Sequence, residues 1–92
     1  MFKIGKVINY YENIGVTVVS LTGNLAVGDV IKIYKDGEEI LEQKIDEILL
    51  NQKSVVSADR HDVIALHLNA KIKKESEVYK ISLLGVRPSN WG

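Results

Sequence analysis

Apolar and polar residues alternate with a period of two through most of this chain, the spacing of half-buried strands. In VIKIY, Ile31 and Ile33 fall on one face and Lys32 on the other. In DVIALHL, Ile64, Leu66 and Leu68 share a side opposite Val63, Ala65 and His67. KIGKVINYY and VTVVSL are dense in β-branched and aromatic residues, which suit a pleated surface. SVVSA and VYKISLL read as two further short strands. Turn residues separate these runs: Gly15 in ENIG, Gly28-Asp29, and Asp36-Gly37. Asp-Gly between two strands predicts a type I′ hairpin, which needs positive φ at both central positions. About seven short strands with frequent turns predict an all-β fold, a small antiparallel barrel that is closed or nearly closed.

One stretch breaks the pattern. EEILEQKIDEILLNQK places apolar residues at 40, 41, 45, 48, 49 and 50, and steps of four and three are helical. Its Glu, Leu and Lys content favours a helix, and Asp36 is a suitable cap. As a strand, the same stretch puts Leu41 and Ile45 on one face, with Ile48 following a bulge or bend. Pattern alone favours the helix.

Composition narrows the class. Ninety-two residues with 46% hydrophobic and 26% charged content make one globular domain. There is no cysteine, hence no disulfide framework. No run approaches the ~18 apolar residues of a membrane span. The N-terminus lacks the apolar core of a signal peptide. A cytoplasmic chain with no membrane contact is the expectation. Net charge is zero but unevenly spread: +2 over residues 1–35, −5 over 36–62 and +3 over 63–92. A neutral chain is poorly suited to strong non-specific nucleic-acid binding, which runs on phosphate neutralisation.

Gly5-Lys6-Val7, Tyr10, Ile14-Gly15-Val16 and the block Leu25-x-Val27-Gly28-Asp29-x-Ile31-x-Ile33 resemble a known family. They look like the second, β-barrel domain of translation GTPases such as elongation factor Tu. Short stand-alone chains called translation elongation factor-like proteins are more similar still. The sequence is also similar to the C-terminal barrel of U32 collagenase-like peptidases. The likeness runs from about Ile4 to Ile81. It implies a barrel of the translation-factor domain 2 type, and it favours a strand over Glu39 to Ile48. One barrel over residues 1–83 and a C-terminal tail at 84–92 follow. The Gly28-Asp29 turn is then a building device: Leu25 and Val27 pack down, Gly28 takes a backbone shape denied to other residues, and Asp29 bonds turn amides. Two later turns depart from the family pattern. Where Ala-x-x-Gly-Asp-x-Val-Gly-Leu is usual, His61 and Ala65 replace the glycines. Where Gly-Asp precedes the last strand, Glu75-Ser76 stands instead. Either those turns are remodelled or their residues bear strain.

Reactive chemistry is sparse. No phosphate loop of the Gly-x-x-x-x-Gly-Lys-Ser/Thr type and no Gly-x-Ser-x-Gly elbow occurs, so neither nucleotide binding nor acyl transfer is indicated. His61 and His67 would sit about 20 Å apart on a straight strand, too far to share a metal. No catalytic residue, metal or cofactor is expected. The candidate contacts are Lys71, Lys73 and Lys74 for phosphates, Tyr10 for base stacking, and His61 in the polar DRHD loop. Gly15, Gly28, Asp29, Asp36 and Gly37 are assigned to turns. Two functions remain open. The first is a non-catalytic, translation-associated module touching RNA, the ribosome or a factor, as the resemblance implies. The alternative is a protein-interaction or assembly module, like the accessory barrel of U32 peptidases.

Overall fold

The structure is a computed structural model and describes residues 1–81; the tail expected at 84–92 lies outside the described residues. The fold is all-β. Its strands are β1 (Phe2–Tyr11), β2 (Val16–Leu21), β3 (Leu25–Ala26), β4 (Val30–Lys35), β5 (Glu38–Lys44), β6 (Ile48–Leu50), β7 (Lys53–Val55), β8 (Ser57–Ala58), β9 (Val63–His67) and β10 (Glu77–Lys80). Eight form one antiparallel sheet in the order β5-β4-β10-β1-β2-β9-β6-β7, and β3 pairs with β8.

The closed or nearly closed barrel expected from the sequence is not closed by strand pairing among the described residues: β5 and β7 remain edges there. The β3–β8 ribbon stands between them. Just past β5, Ile45 exchanges hydrogen bonds with the turn after β3 (Gly28 N–H to Ile45 O, 2.8 Å; Ile45 N–H to Asp29 O, 2.8 Å). Just past β7, Val56 accepts from the Val27 N–H at 2.9 Å. The Gln43 amide adds a side-chain link, donating to His67 O at 3.2 Å and accepting from Asn69 N–H at 2.9 Å.

Glu39 to Ile48 is extended, not helical. Strand β5 ends at Lys44, residues 45–47 lie outside the strands, and Ile48 opens β6. Ile45 and Ile48 are thus both buried, and Leu41 packs against the core half-buried. The expected Asp36-Gly37 hairpin turn has φ of 54° and 82°. A second turn of that kind, Asn51-Gln52 (φ 53° and 67°), joins β6 to β7 without a glycine to announce it.

Three four-residue turns share one geometry: Ala26–Asp29, Asp59–Asp62 and Lys73–Ser76. In each, the fourth N–H donates to the first carbonyl, at 3.0, 3.0 and 3.2 Å. The third residue is left-handed: Gly28 at 99°, His61 at 78° and Glu75 at 72°. Its N–H donates to the carbonyl of a facing residue (Ile45, Leu21 and Val7), and that residue's N–H donates to the fourth carbonyl. Asp29 and Asp62 each accept from the first residue's N–H at 2.8 Å, and the Ser76 hydroxyl donates to Lys73 O at 2.6 Å. The turns that lost their glycines therefore keep the glycine geometry, and His61 and Glu75 bear it. Changing His61→Gly is expected to raise stability by a few tenths to about 1 kcal/mol, read from the urea midpoint.

The sequence pattern assigns Val7, Val16, Val18, Val27, Ile31, Ile33, Leu41, Ile45, Ile64, Leu66, Val78 and Ile81 to the core; of these, Val7, Val16, Ile31, Ile33, Ile45, Ile64, Leu66 and Val78 are buried. Val18, Leu41 and Ile81 are only half-buried. Val27 is 42% exposed, because it is the second residue of a turn and points outward. Strand β2 turns Thr17, Val19 and Leu21 inward and leaves Val18 on the outer face, paired with Ala65. Ile4, Leu25, Ile48, Leu68 and Ile72 also join the core. Fully buried Thr17 has no hydrogen-bond partner for its hydroxyl among the described residues. Thr17→Val keeps the shape and removes that desolvated group, so a gain of about 1 kcal/mol in chemical denaturation is expected.

Candidate functional site

The outer surface of the large sheet is divided. Over β5, β4, β10 and the start of β1 it is ionic and aromatic. Lys32 pairs with Glu39 at 3.2 Å and Glu42 at 3.7 Å, Lys3 with Glu77 at 3.0 Å, and Lys6 with Glu75 at 3.1 Å. Tyr34 and Tyr79 pack edge to face at 5.5 Å between their rings.

Over β2, β9 and β6 the same surface is aliphatic. Val18, Ala65 and Leu49 lie side by side on three adjacent strands. Val63 opens β9 at 48% exposure, and Ile14 in the β1–β2 turn is 64% exposed. With Tyr11 they enclose a shallow groove of about 330 Å³. None of the described residues lining it is charged; Asn51 and Gln52 are its amides. Side chains alternate across a strand, so the inward set of β2 and β9 fills the core. Their outward partners would ordinarily be polar where a sheet faces water. Here Val16, Val18, Val63 and Ala65 are apolar, and only Ser20 and His67 are polar.

The sequence candidates lie elsewhere. Lys71 and Lys73 meet Lys35, Asp36, Glu38 and Ile40 around a cleft of about 200 Å³. The Lys71 ammonium is already paired with Glu12 at 2.8 Å. Lys74 is exposed in the neighbouring turn and does not line that cleft. Tyr10 is half-buried against the core. His61 holds its turn. Among the described residues no cluster of His, Asp and Glu is arranged to hold a metal ion. Sequence reading set Val63 and Ala65 opposite Ile64 but missed the groove, because Val18 reads as a core residue and the pairing of β2, β9 and β6 that gathers these side chains is not visible in any one segment.

The ion pairs set a pH response. Glu12 is held below its ordinary 4.5 by the hydrogen bond from Lys71 and then by the lysine's charge; the same pair holds Lys71 above 10.5. Lys3 lowers Glu77 in the same way, and Glu39 raises Lys32. A carboxyl lowered by folding contributes stability that is complete above its unfolded value and lost as pH falls through the folded one. A raised lysine contributes stability complete below its unfolded value and lost as pH rises through the folded one. These pairs are exposed and screened, so each contributes little. The urea midpoint should stay level through neutral pH on their account and fall below 4.5. Molar salt should shrink that acid limb.

No family model matches the chain. It is 27% identical over 77 residues to an uncharacterized protease of Methanocaldococcus jannaschii, a match that takes in 84% of this chain and 19% of that protein. The chain thus spans about a fifth of the length of this relative. Among solved structures, it resembles the C-terminal domain of a U32 peptidase from Geobacillus thermoleovorans. The TM-score is 0.80 at 16% identity, covering 88% of this chain and 93% of that domain. The selenomethionine form of the same domain gives 0.79, covering 85% and 98%. At that identity the likeness establishes the fold. The resemblance to translation-GTPase barrels gains no support from these comparisons.

Proposed function

We propose that this chain is a non-catalytic accessory domain that docks on a protein through the apolar outer face of β2, β9 and β6. The observation that carries the reading is the uncharged groove on a sheet whose other half is covered by ion pairs. Exposed aliphatic side chains grouped in one patch and rimmed by polar ones mark association surfaces. Similarity to a C-terminal peptidase domain, and to a short stretch of a much longer protease, supports an accessory role. Chemistry then belongs to the partner, and this domain supplies contact.

RNA is the less favoured ligand. The lysine cleft also presents Asp36 and Glu38, which repel phosphate, and Glu12 occupies Lys71. Capture from native lysate, by the full chain and by Ile14→Asp, tests the reading. Proteins should be retained by the parent chain, lost with the variant and indifferent to nuclease. Retention of nucleic acid, or equal retention by both chains, would overturn it.

A further inference from the structure

We propose that the cleft beside the Lys73–Ser76 turn binds a short-chain monocarboxylate. The ligand's carboxylate takes the part that an aspartate side chain plays in the two sister turns. In those turns the fourth residue is Asp29 or Asp62, and its Oδ2 accepts from the first residue's N–H at 2.8 Å. The third turn keeps the left-handed third residue and the backbone bonds, but its fourth residue is Ser76. The Ser76 hydroxyl donates to Lys73 O at 2.6 Å. The Lys73 N–H has no acceptor among the described residues. A donor that the sister turns match with a carboxylate is thus left for an acceptor from outside the turn. Such charge-assisted bonds are about twice as strong as neutral ones.

The surroundings favour an anion of one charge and few atoms. Lys73 and Ser76 line the cleft of about 200 Å³ together with Lys35 and Lys71. A lysine accompanies the carboxylate of the first turn too, where Lys80 Nζ lies 3.7 Å from Asp29 Oδ2. Glu12 engages Lys71 at 2.8 Å, whereas Lys35 and Lys73 make no ion pair among the described residues. Asp36 and Glu38 also line the cleft, so three lysines face two carboxylates. That balance accepts one negative charge and disfavours the two of a phosphate. Exposed Ile40 in the same lining offers apolar contact to a short aliphatic chain. Drug-sized ligands fill pockets of about 300–1,000 Å³, so this cleft suits a smaller molecule. None of its lining residues lines the apolar groove, and the two sites are separate.

The probe is sodium butyrate, titrated into the isotope-labelled full chain, with sodium chloride and sodium phosphate at matched ionic strength and pH as comparators. Butyrate should move the Lys73 amide proton downfield and saturably, with smaller shifts at Lys71 and Ser76. Ser76→Asp supplies the sister-turn carboxylate from within. Its Lys73 amide should start near the butyrate-bound position and no longer respond. Lys73→Ala, an exposed change that keeps the N–H, should weaken butyrate by about threefold. A Lys73 amide that stays still at high millimolar butyrate, or responds as well in Ser76→Asp, would overturn the site. So would equal shifts with chloride or phosphate, which report screening of charge in place of a carboxylate. The docking reading is tested separately, by what Ile14→Asp retains from lysate.

Discussion

Gly5→Ala is expected to lower stability by about 3 kcal/mol, the largest loss expected here from adding a single methyl group. Gly5 is buried on β1, opposite Leu21 of β2 and Val78 of β10, beside an irregularity in the β1–β10 register. A Cβ built there would lie 2.8 Å from the Ser20 carbonyl oxygen and 2.8 Å from Val19 Cγ1. The first contact is backbone, so no rotamer change relieves it. Strand β1 must move away from β2, and the core beneath them must loosen. For a domain of this size the melting temperature should fall by roughly 15 °C or more. Val19→Ala added to Gly5→Ala removes the side-chain contact and leaves the carbonyl one, so the double variant should not recover. A parent-like melting temperature for Gly5→Ala would mean that β1 and β2 do not approach this closely.

The largest functional effect is expected from Ile14→Asp: at least a tenfold loss of partner affinity with little change in folding. Ile14 is 64% exposed in a turn, a place where aspartate is well tolerated. The free chain thus loses little. In a complex, the new carboxylate would be buried in a groove with no cation among its described lining residues. A loss of tenfold corresponds to about 1.4 kcal/mol, well within what an uncompensated charge costs. Val63→Asp, on the opposite side of the groove, should behave alike. Lys73→Glu in the lysine cleft should leave affinity unchanged, with calorimetry on a captured partner as the readout.

Much of the fold was legible because its turns carry their own chemistry. Asp36-Gly37 and Gly28-Asp29 announce positive φ in the sequence, and both show it. The substitution of glycine by His61 and Glu75 was legible only as a departure; the structure shows the geometry kept at those residues. Helical periodicity misled over Ile40 to Leu50, because Ile45 just past β5 and Ile48 at the start of β6 are both buried, on either side of an exposed Asp46-Glu47 link. Parity misled in VTVVSL, where five of six residues are able to enter a core. Thr17, not Val18, took the inner face. Closure misled because hydrogen-bond order is not written in any one segment: β3 and β8 are two residues each and intervene between distant edges. The groove was illegible for a related reason. Four separate segments contribute to it, and none differs in composition from a buried strand.

Site-specific photo-crosslinking tests the central claim most directly. A photoreactive side chain at position 14 or 63, in the full chain within native lysate, should form adducts with protein. The same group at position 73 should form few. Adducts with RNA, or adducts that arise from position 73 and not from 14 or 63, would contradict a protein-docking role for this face.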